Sequence, residues 1–175
     1  MPAVSPRMLI LGLDPGSLHT GYGLIACSAG KARALDAGRW SAPPKLHVAE
    51  RLKILADGLD ELLLRTRPDF VAIEKPFHGV NSRSVIVLAE ARGAWLVTLA
   101  RGGLRIEEYS PAEVKGAVTG GGRAEKEQVA RMVRLLLGMD AAAVPSDATD
   151  ALAVALCSSQ QQSLRRLTER TAVSK

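Results

Sequence analysis

Six apolar residues in unbroken succession, Met8-Leu9-Ile10-Leu11-Gly12-Leu13, lead directly into an aspartate, Asp14. A strand with one wet face alternates apolar and polar positions, so a continuous run marks a central strand covered on both sides. Such a strand demands packed layers above and below it. Asp14-Pro15-Gly16-Ser17 ends the run in a tight turn. Residues 20–28 and 32–40 read as two further strands joined by a turn at Ser28-Ala29-Gly30-Lys31. Three strands at hairpin spacing predict an antiparallel meander.

After Pro43-Pro44 the period changes. Leu46, Ala49, Leu52, Leu55, Leu59, Leu62 and Leu63 recur at three- and four-residue steps, which predicts an amphipathic helix. Pro68-Asp69 stops it, and Phe70-Val71-Ala72-Ile73-Glu74 follows as a short strand. Residues 82–100 read as a helix and Leu104 to Tyr109 as a fifth strand. Ser110, Pro111 and Glu113 form a capping-box pattern that opens a short helix. A glycine loop, Thr119 to Arg123, precedes a helix from about Ala124 to Leu137 that Gly138 closes. A last helix is expected from Ser146 to Gln162. The order β-β-β-α-β-α-β-α-α-α predicts an α/β fold. Its five-stranded mixed sheet has the first three strands antiparallel and is flanked by helices. One domain is expected over residues 1–162. Residues 163–175 carry four basic side chains and one acidic one, a net +3, and are expected to form a disordered tail.

Composition narrows the class. With 175 residues and 47% apolar content the chain is long enough to bury one real core. The formal charge of +5 leaves only +2 outside the tail, so any nucleic-acid surface must be a local patch. Two Trp, two Tyr and two Phe are too few for stacking platforms along a single strand. Cys27 and Cys157 lie in apolar stretches without pairing or ligand spacing and read as reduced thiols of a cytoplasmic protein. The residues from Met1 to Arg7 lack a signal-peptide pattern. The most apolar helix, Val85 to Ala100, is interrupted by Glu90 and Arg92 and is too short to span a bilayer.

Four acids carry the functional argument: Asp14, Glu74, Asp147 and Asp150. The first two each end an apolar strand, at the carboxyl edge where sites form in such sheets. Asp147 and Asp150 are three residues apart at a helix start and share one face. Singly, each has an ordinary explanation: a turn for Asp14, a rim ion pair with Lys75 for Glu74, helix-dipole complementarity for the pair. Together, three elements deliver four hard oxygen donors to one sheet edge. Neither His nor Cys accompanies them, so the implied ions are Mg²⁺ or Mn²⁺ rather than zinc. Two such ions about 4 Å apart suit in-line phosphoryl displacement by water.

Leu11-Gly12-Leu13-Asp14-Pro15-Gly16-Ser17, followed by Thr20-Gly21-Tyr22-Gly23, resembles the opening of the bacterial RuvC family of Holliday junction resolvases. Ile73 to Phe77, Pro111 to Lys115, Gly122 to Val129 and Asp147 to Ala153 resemble that family's later motifs, in the right order and with compatible spacing. The resemblance implies a ribonuclease-H-like fold. It also implies a homodimeric, Mg²⁺-dependent endonuclease that nicks two opposed strands of a four-way junction beside a branch-migration motor. By the same resemblance Asp14, Glu74, Asp147 and Asp150 hold the metal, and Lys115 and Lys126 lie near the scissile phosphate. Phe77 stacks near the junction centre. Lys75-Pro76 departs from the family at a point where its members vary, which affects the approach of Phe77.

Arg123 lies between the two lysines, and Arg83 lies close to Phe77, His78 and Asn81 in a segment suited to touching DNA. The glycine loop lacks the Gly-Lys-Ser/Thr ending of a P-loop. His19, His47 and His78 share no ligand spacing and read as surface or locally bonded residues. Ser17 and Thr20 lack a His partner, against covalent catalysis. Rival readings are half of an actin-like ATPase, which needs a second related domain, a nuclease of RNA–DNA hybrids, and a non-catalytic junction-binding module. Finally, twelve of the sixteen residues from Val85 to Ala100 are apolar and occupy every side of their helix. Because one sheet accepts only a stripe, the remainder predicts a two-fold dimer interface.

Overall fold

The computed structural model describes residues 7–75, 82–140 and 144–173. Strands β1 (Met8–Asp14), β2 (His19–Ser28), β3 (Lys31–Ser41), β4 (Phe70–Glu74) and β5 (Ile106–Tyr109) form one sheet of order β3-β2-β1-β4-β5. β1 pairs antiparallel with β2 and parallel with β4, β2 pairs antiparallel with β3, and β4 pairs parallel with β5. The mixed sheet and its antiparallel opening meander are those expected. β1 is central, and its uninterrupted apolar run serves both faces.

Those faces hold two cores. Leu11 and Leu13 of β1 point toward α1 (Val48–Thr66) and α2 (Ser82–Arg101), and pack with Leu55, Leu59, Leu62, Trp95 and Leu99. Met8 and Ile10 point the other way, toward α3 (Pro111–Thr119), α4 (Lys126–Leu137) and α5 (Ser146–Val173). Local signals hold well. His47 caps α1 in a capping box with Glu50, Ser110 caps α3 with Glu113 and Pro111, and Gly138 ends α4 at φ 63°.

α5 is the central helix of its layer, and residues 148 and 151–157 along it are buried. It seats directly on glycine. A Cβ on Gly12 would lie 1.9 Å from the Ala151 carbonyl oxygen and 2.8 Å from the Ala155 amide nitrogen. One on Gly21 would lie 1.9 Å from the Asp147 carbonyl oxygen, and one on Gly23 would lie 2.6 Å from Leu152 Cγ. Gly12 and Gly23 are register partners on β1 and β2, so the three positions make one floor without side chains.

One expectation changes. The last helix does not end near Gln162 with a disordered tail after it; α5 continues to Val173. Its extension is tied to edge strand β5. Buried Glu107 accepts hydrogen bonds from Tyr109 Oη (2.6 Å), Ser158 Oγ (2.9 Å), Gln162 Nε2 and Arg165 Nη1 (2.8 Å). Burial alone would raise the Glu107 carboxyl, but the hydrogen bonds from Tyr109 and Ser158 and the charge and hydrogen bond of Arg165 hold it below its ordinary range. In α2, the apolar residues divide cleanly. Ala91, Trp95 and Leu99 are buried, whereas Val85, Ile86 and Val97 are exposed. Ile86, Glu90, Gly93 and Val97 lie on one outward stripe at helical spacing.

Close seating of α5 makes a strong prediction. Gly12→Ala should destabilise the fold by about 3 kcal/mol, because backbone rather than a movable side chain blocks the new methyl. Gly116→Ala, in α3 where a Cβ meets nothing within 4 Å, should stabilise it by about 0.5–1 kcal/mol. Denaturant unfolding of both variants checks the pair.

Candidate active site

Asp14 ends β1 and Glu74 ends β4. Since Leu13 pairs with Ile73 in the parallel ladder, the two acids occupy the next row on the same face as Gly12 and Ala72. The glycine floor lets α5 lay its first turn over that row, so Asp147 and Asp150 arrive from above. Arg39 on β3 pairs in register with Gly21, and Gly21 with Asp14. Tyr109 on β5 pairs with Glu74. One row of the sheet therefore reads Arg39, Gly21, Asp14, Glu74, Tyr109.

The acids feel one another. The Asp14 carboxyl is pushed up to about 7, first by burial and then by the charges of Asp150, Glu74 and Asp147, against the pull of Lys126. Burial and Asp150 likewise raise Glu74, opposed by Lys115 and Lys126. These two lysines, not Lys75, are the cations that act on Glu74 here. Lys126 Nζ donates to Asp150 Oδ2 at 2.7 Å. Its own proton is held more firmly for that reason. Arg39 Nη1 donates to Asp147 Oδ2 at 3.3 Å. Lys115, Lys126, Glu74 and Asp150 line a cleft of about 230 Å³ floored by Pro111, Val114, Val129 and Ala153.

The expected residues are thus sorted. Asp14, Glu74, Asp147, Asp150, Lys115 and Lys126 are brought together. Arg123 is exposed in the loop just before α4. Phe77, with His78 and Asn81, lies outside the described residues, as does the side chain of Arg83 in α2. Arg39 was not anticipated. Its signal was the strand alternation of β3, hidden by a register shift opposite Leu24 and Ile25. His47 and His19 act locally, as expected: His47 caps α1 and His19 Nδ1 bonds Ser41 Oγ at 2.9 Å. Cys27 Sγ donates to Ser159 Oγ, and burial pushes the Cys157 thiol up to about 12. Neither cysteine is in a disulfide.

As they stand, no three His, Cys, Asp or Glu side chains among the described residues converge tightly enough to grip an ion. Lys126 and Arg39 occupy two of the carboxylates instead. The donor set nevertheless suits a hard divalent cation. Burial and the charges of the neighbouring acids raise the proton affinity of Asp14 and Glu74, and a cation relieves that repulsion.

A mixed sheet of this order, with acids at the carboxyl ends of β1 and β4 and at the start of the helix crossing them, defines a ribonuclease-H-like nuclease fold. Residues 10–158 match the family model described as crossover junction endodeoxyribonuclease RuvC. A relative from Syntrophomonas wolfei, named crossover junction endodeoxyribonuclease RuvC, is 45% identical over 150 residues, covering 86% of this chain and 87% of that one. One of the same name from Chlorobaculum parvum is 47% identical over 152 residues, covering 86% and 80%. Thermus thermophilus RuvC, solved in complex with Holliday junction substrate, superposes with a TM-score of 0.80 at 38% identity, covering 86% and 92%. The yeast mitochondrial Holliday junction resolvase shares the fold at a TM-score of 0.65 and 12% identity. The chain belongs to the RuvC family of crossover junction endodeoxyribonucleases.

The crowded acids set a pH dependence. Asp14 binds its proton more tightly folded, near 7, than unfolded, near 3.9. The folded state therefore holds the extra proton, and stability falls as pH rises between these values. In chelator, melting temperature should drop from pH 5 to pH 8. Asp14→Asn should flatten that slope and stabilise the protein at pH 8 by roughly 1–3 kcal/mol. Thermal melts across pH test both.

Proposed function

We propose that this protein is a structure-selective endodeoxyribonuclease that resolves four-way DNA junctions by metal-dependent hydrolysis in recombination and repair. The observation that carries the reading is the convergence of Asp14, Glu74, Asp147 and Asp150 beside Lys115 and Lys126. Mg²⁺ or Mn²⁺ held by the four acids, two ions per site, supplies the means to activate water and stabilise the leaving oxygen. The chain's own residues do the rest. The acids at the strand ends are fixed by the sheet, so their geometry needs no reorganisation. Lys126 neutralises Asp150 in the resting site and, with Lys115, faces a cleft in which phosphate charge is offset. Arg123, on the exposed loop beside Lys126, extends the same basic rim toward DNA. Phe77 is assigned to stacking near the junction centre and Arg83 to the backbone beside it. The products are a 5′-phosphate and a 3′-hydroxyl.

The working unit is proposed to be a two-fold dimer with α2 at its interface, acting in the cytoplasm alongside a branch-migration motor. Exposed Ile86 and Val97 on a stripe with Gly93 supply the apolar contact. Trp95, buried in its own core, does not. No helix of the described residues is long and apolar enough to cross a membrane. A nuclease of RNA–DNA hybrids shares the acids, whereas the likeness to a RuvC bound to a Holliday junction substrate favours the junction.

Asp150→Asn should abolish junction cleavage by 10²-fold or more while keeping the fold and junction binding, because an amide is a poor ligand for a hard cation. Lys115→Ala and Lys126→Ala should slow cleavage more than they weaken binding. Gel assays of four-way junction, linear duplex and RNA–DNA hybrid check these outcomes and the substrate together. Parallel loss of binding in Asp150→Asn would make that residue structural. Changing Ile86 and Val97 to lysine should convert a sedimenting dimer to a monomer and uncouple the paired nicks. A wild-type monomer that still nicks both strands together would refute the dimer.

A further inference from the structure

Lys115 and Lys126 lie on the α3–α4 side of the acids. On the opposite side, toward edge strand β3, stands Arg39. Its position follows from register: it shares a row with Asp14 and Glu74 and is separated from Asp14 only by Gly21. Gly21 lacks a side chain that could screen it, and the space over that residue is filled by the Asp147 carbonyl. The guanidinium therefore reaches past Gly21 to Asp147 Oδ2 at 3.3 Å. Its side chain remains 40% exposed while that of Asp147 is 28% exposed. A single contact at this length leaves most of the guanidinium's five donors available. An exposed pair of this kind is weak and readily exchanged.

We propose that Arg39 is a DNA-binding residue that exchanges partners: it neutralises Asp147 in the ion-free site and passes to a DNA backbone phosphate when a divalent cation takes the Asp147 carboxylate. This rests on the nuclease reading above and adds a DNA contact on the β3 side of the acids. The substrate strand then runs between two cationic borders, Arg39 on one flank and Lys115 with Lys126 on the other. A planar guanidinium suits the outer border, because it can grip a phosphate in two places while its stem stays anchored in the sheet.

The test uses the full chain with Arg39→Gln and Arg39→Lys. Mn²⁺ titration of the protein alone, followed by electron paramagnetic resonance, reads the competition at Asp147 without turnover. Arg39→Gln should bind Mn²⁺ about two- to fivefold more tightly than wild type. Junction affinity is then measured against salt concentration, with Ca²⁺ present and again in chelator. With the ion, Arg39→Gln should lower the salt slope by about 0.7–0.9, the loss of one phosphate contact, and Arg39→Lys should restore it. In chelator the slopes of wild type and Arg39→Gln should agree. Unchanged or weaker Mn²⁺ affinity overturns the exchange, and so does an unchanged slope with Ca²⁺. Failure of the nuclease reading shows separately, as a wild type that neither binds nor nicks the junction.

Discussion

Everything at this site depends on how closely α5 lies on the sheet. A helix packed on ordinary side chains is held off the strands by them, which lifts its first turn away from the strand ends. Gly12, Gly21 and Gly23 remove that spacer, and the backbone of α5 rests where Cβ atoms would otherwise be. The contact stabilises the layer and also sets the height of Asp147 and Asp150 above Asp14 and Glu74. Fold and chemistry are thus served by the same three missing side chains.

The two ends of α5 are held differently, and the contrast is functional. At its carboxyl half, Ser158, Gln162 and Arg165 surround Glu107 with donors, a satisfied network that secures the helix. At its amino end, Asp147 and Asp150 pair only with the exposed cations Arg39 and Lys126 and lie over Asp14 and Glu74, whose carboxyls burial and neighbouring charge raise. Satisfied polar contacts at one end keep the helix in place against the crowded acids at the other. On the sheet's other face, Arg92 pairs with Glu108 across to β5, and Trp95 stacks at 6.2 Å from Trp40, locking α2 in place and leaving its Ile86–Val97 stripe outward.

Much of this was legible in the chain. The apolar run Met8 to Leu13 identified the central strand, Ser110-Pro111 and Gly138 marked helix ends, and the four acids announced themselves by sitting where apolar segments stop. Motif resemblance then supplied Lys115 and Lys126. Less was visible where the determinant was a distance rather than a pattern. Glycines at 12, 21 and 23 look like weak strand formers until the helix above them is known. Arg39 was hidden by the shift of register opposite Leu24 and Ile25, and the run of α5 beyond Gln162 depended on a partner, Glu107, far away in sequence. The apolar excess of α2 was evident, but which residues face inward is decided by Trp40 and α1, so Trp95 rather than Ile86 could be mistaken for the outward contact.

The account is tested most directly by Mn²⁺ binding to two glycine variants whose folding is first verified by circular dichroism. Gly21→Ala places a methyl against the Asp147 carbonyl oxygen, whereas Gly58→Ala places one 2.7 Å from a carbon of Trp40 on the other face. Both should lose stability. Only Gly21→Ala should lose Mn²⁺ affinity, by about tenfold or more, because it lifts the acids of α5 away from those of the sheet. A folded Gly21→Ala protein that binds Mn²⁺ as tightly as wild type would contradict the account.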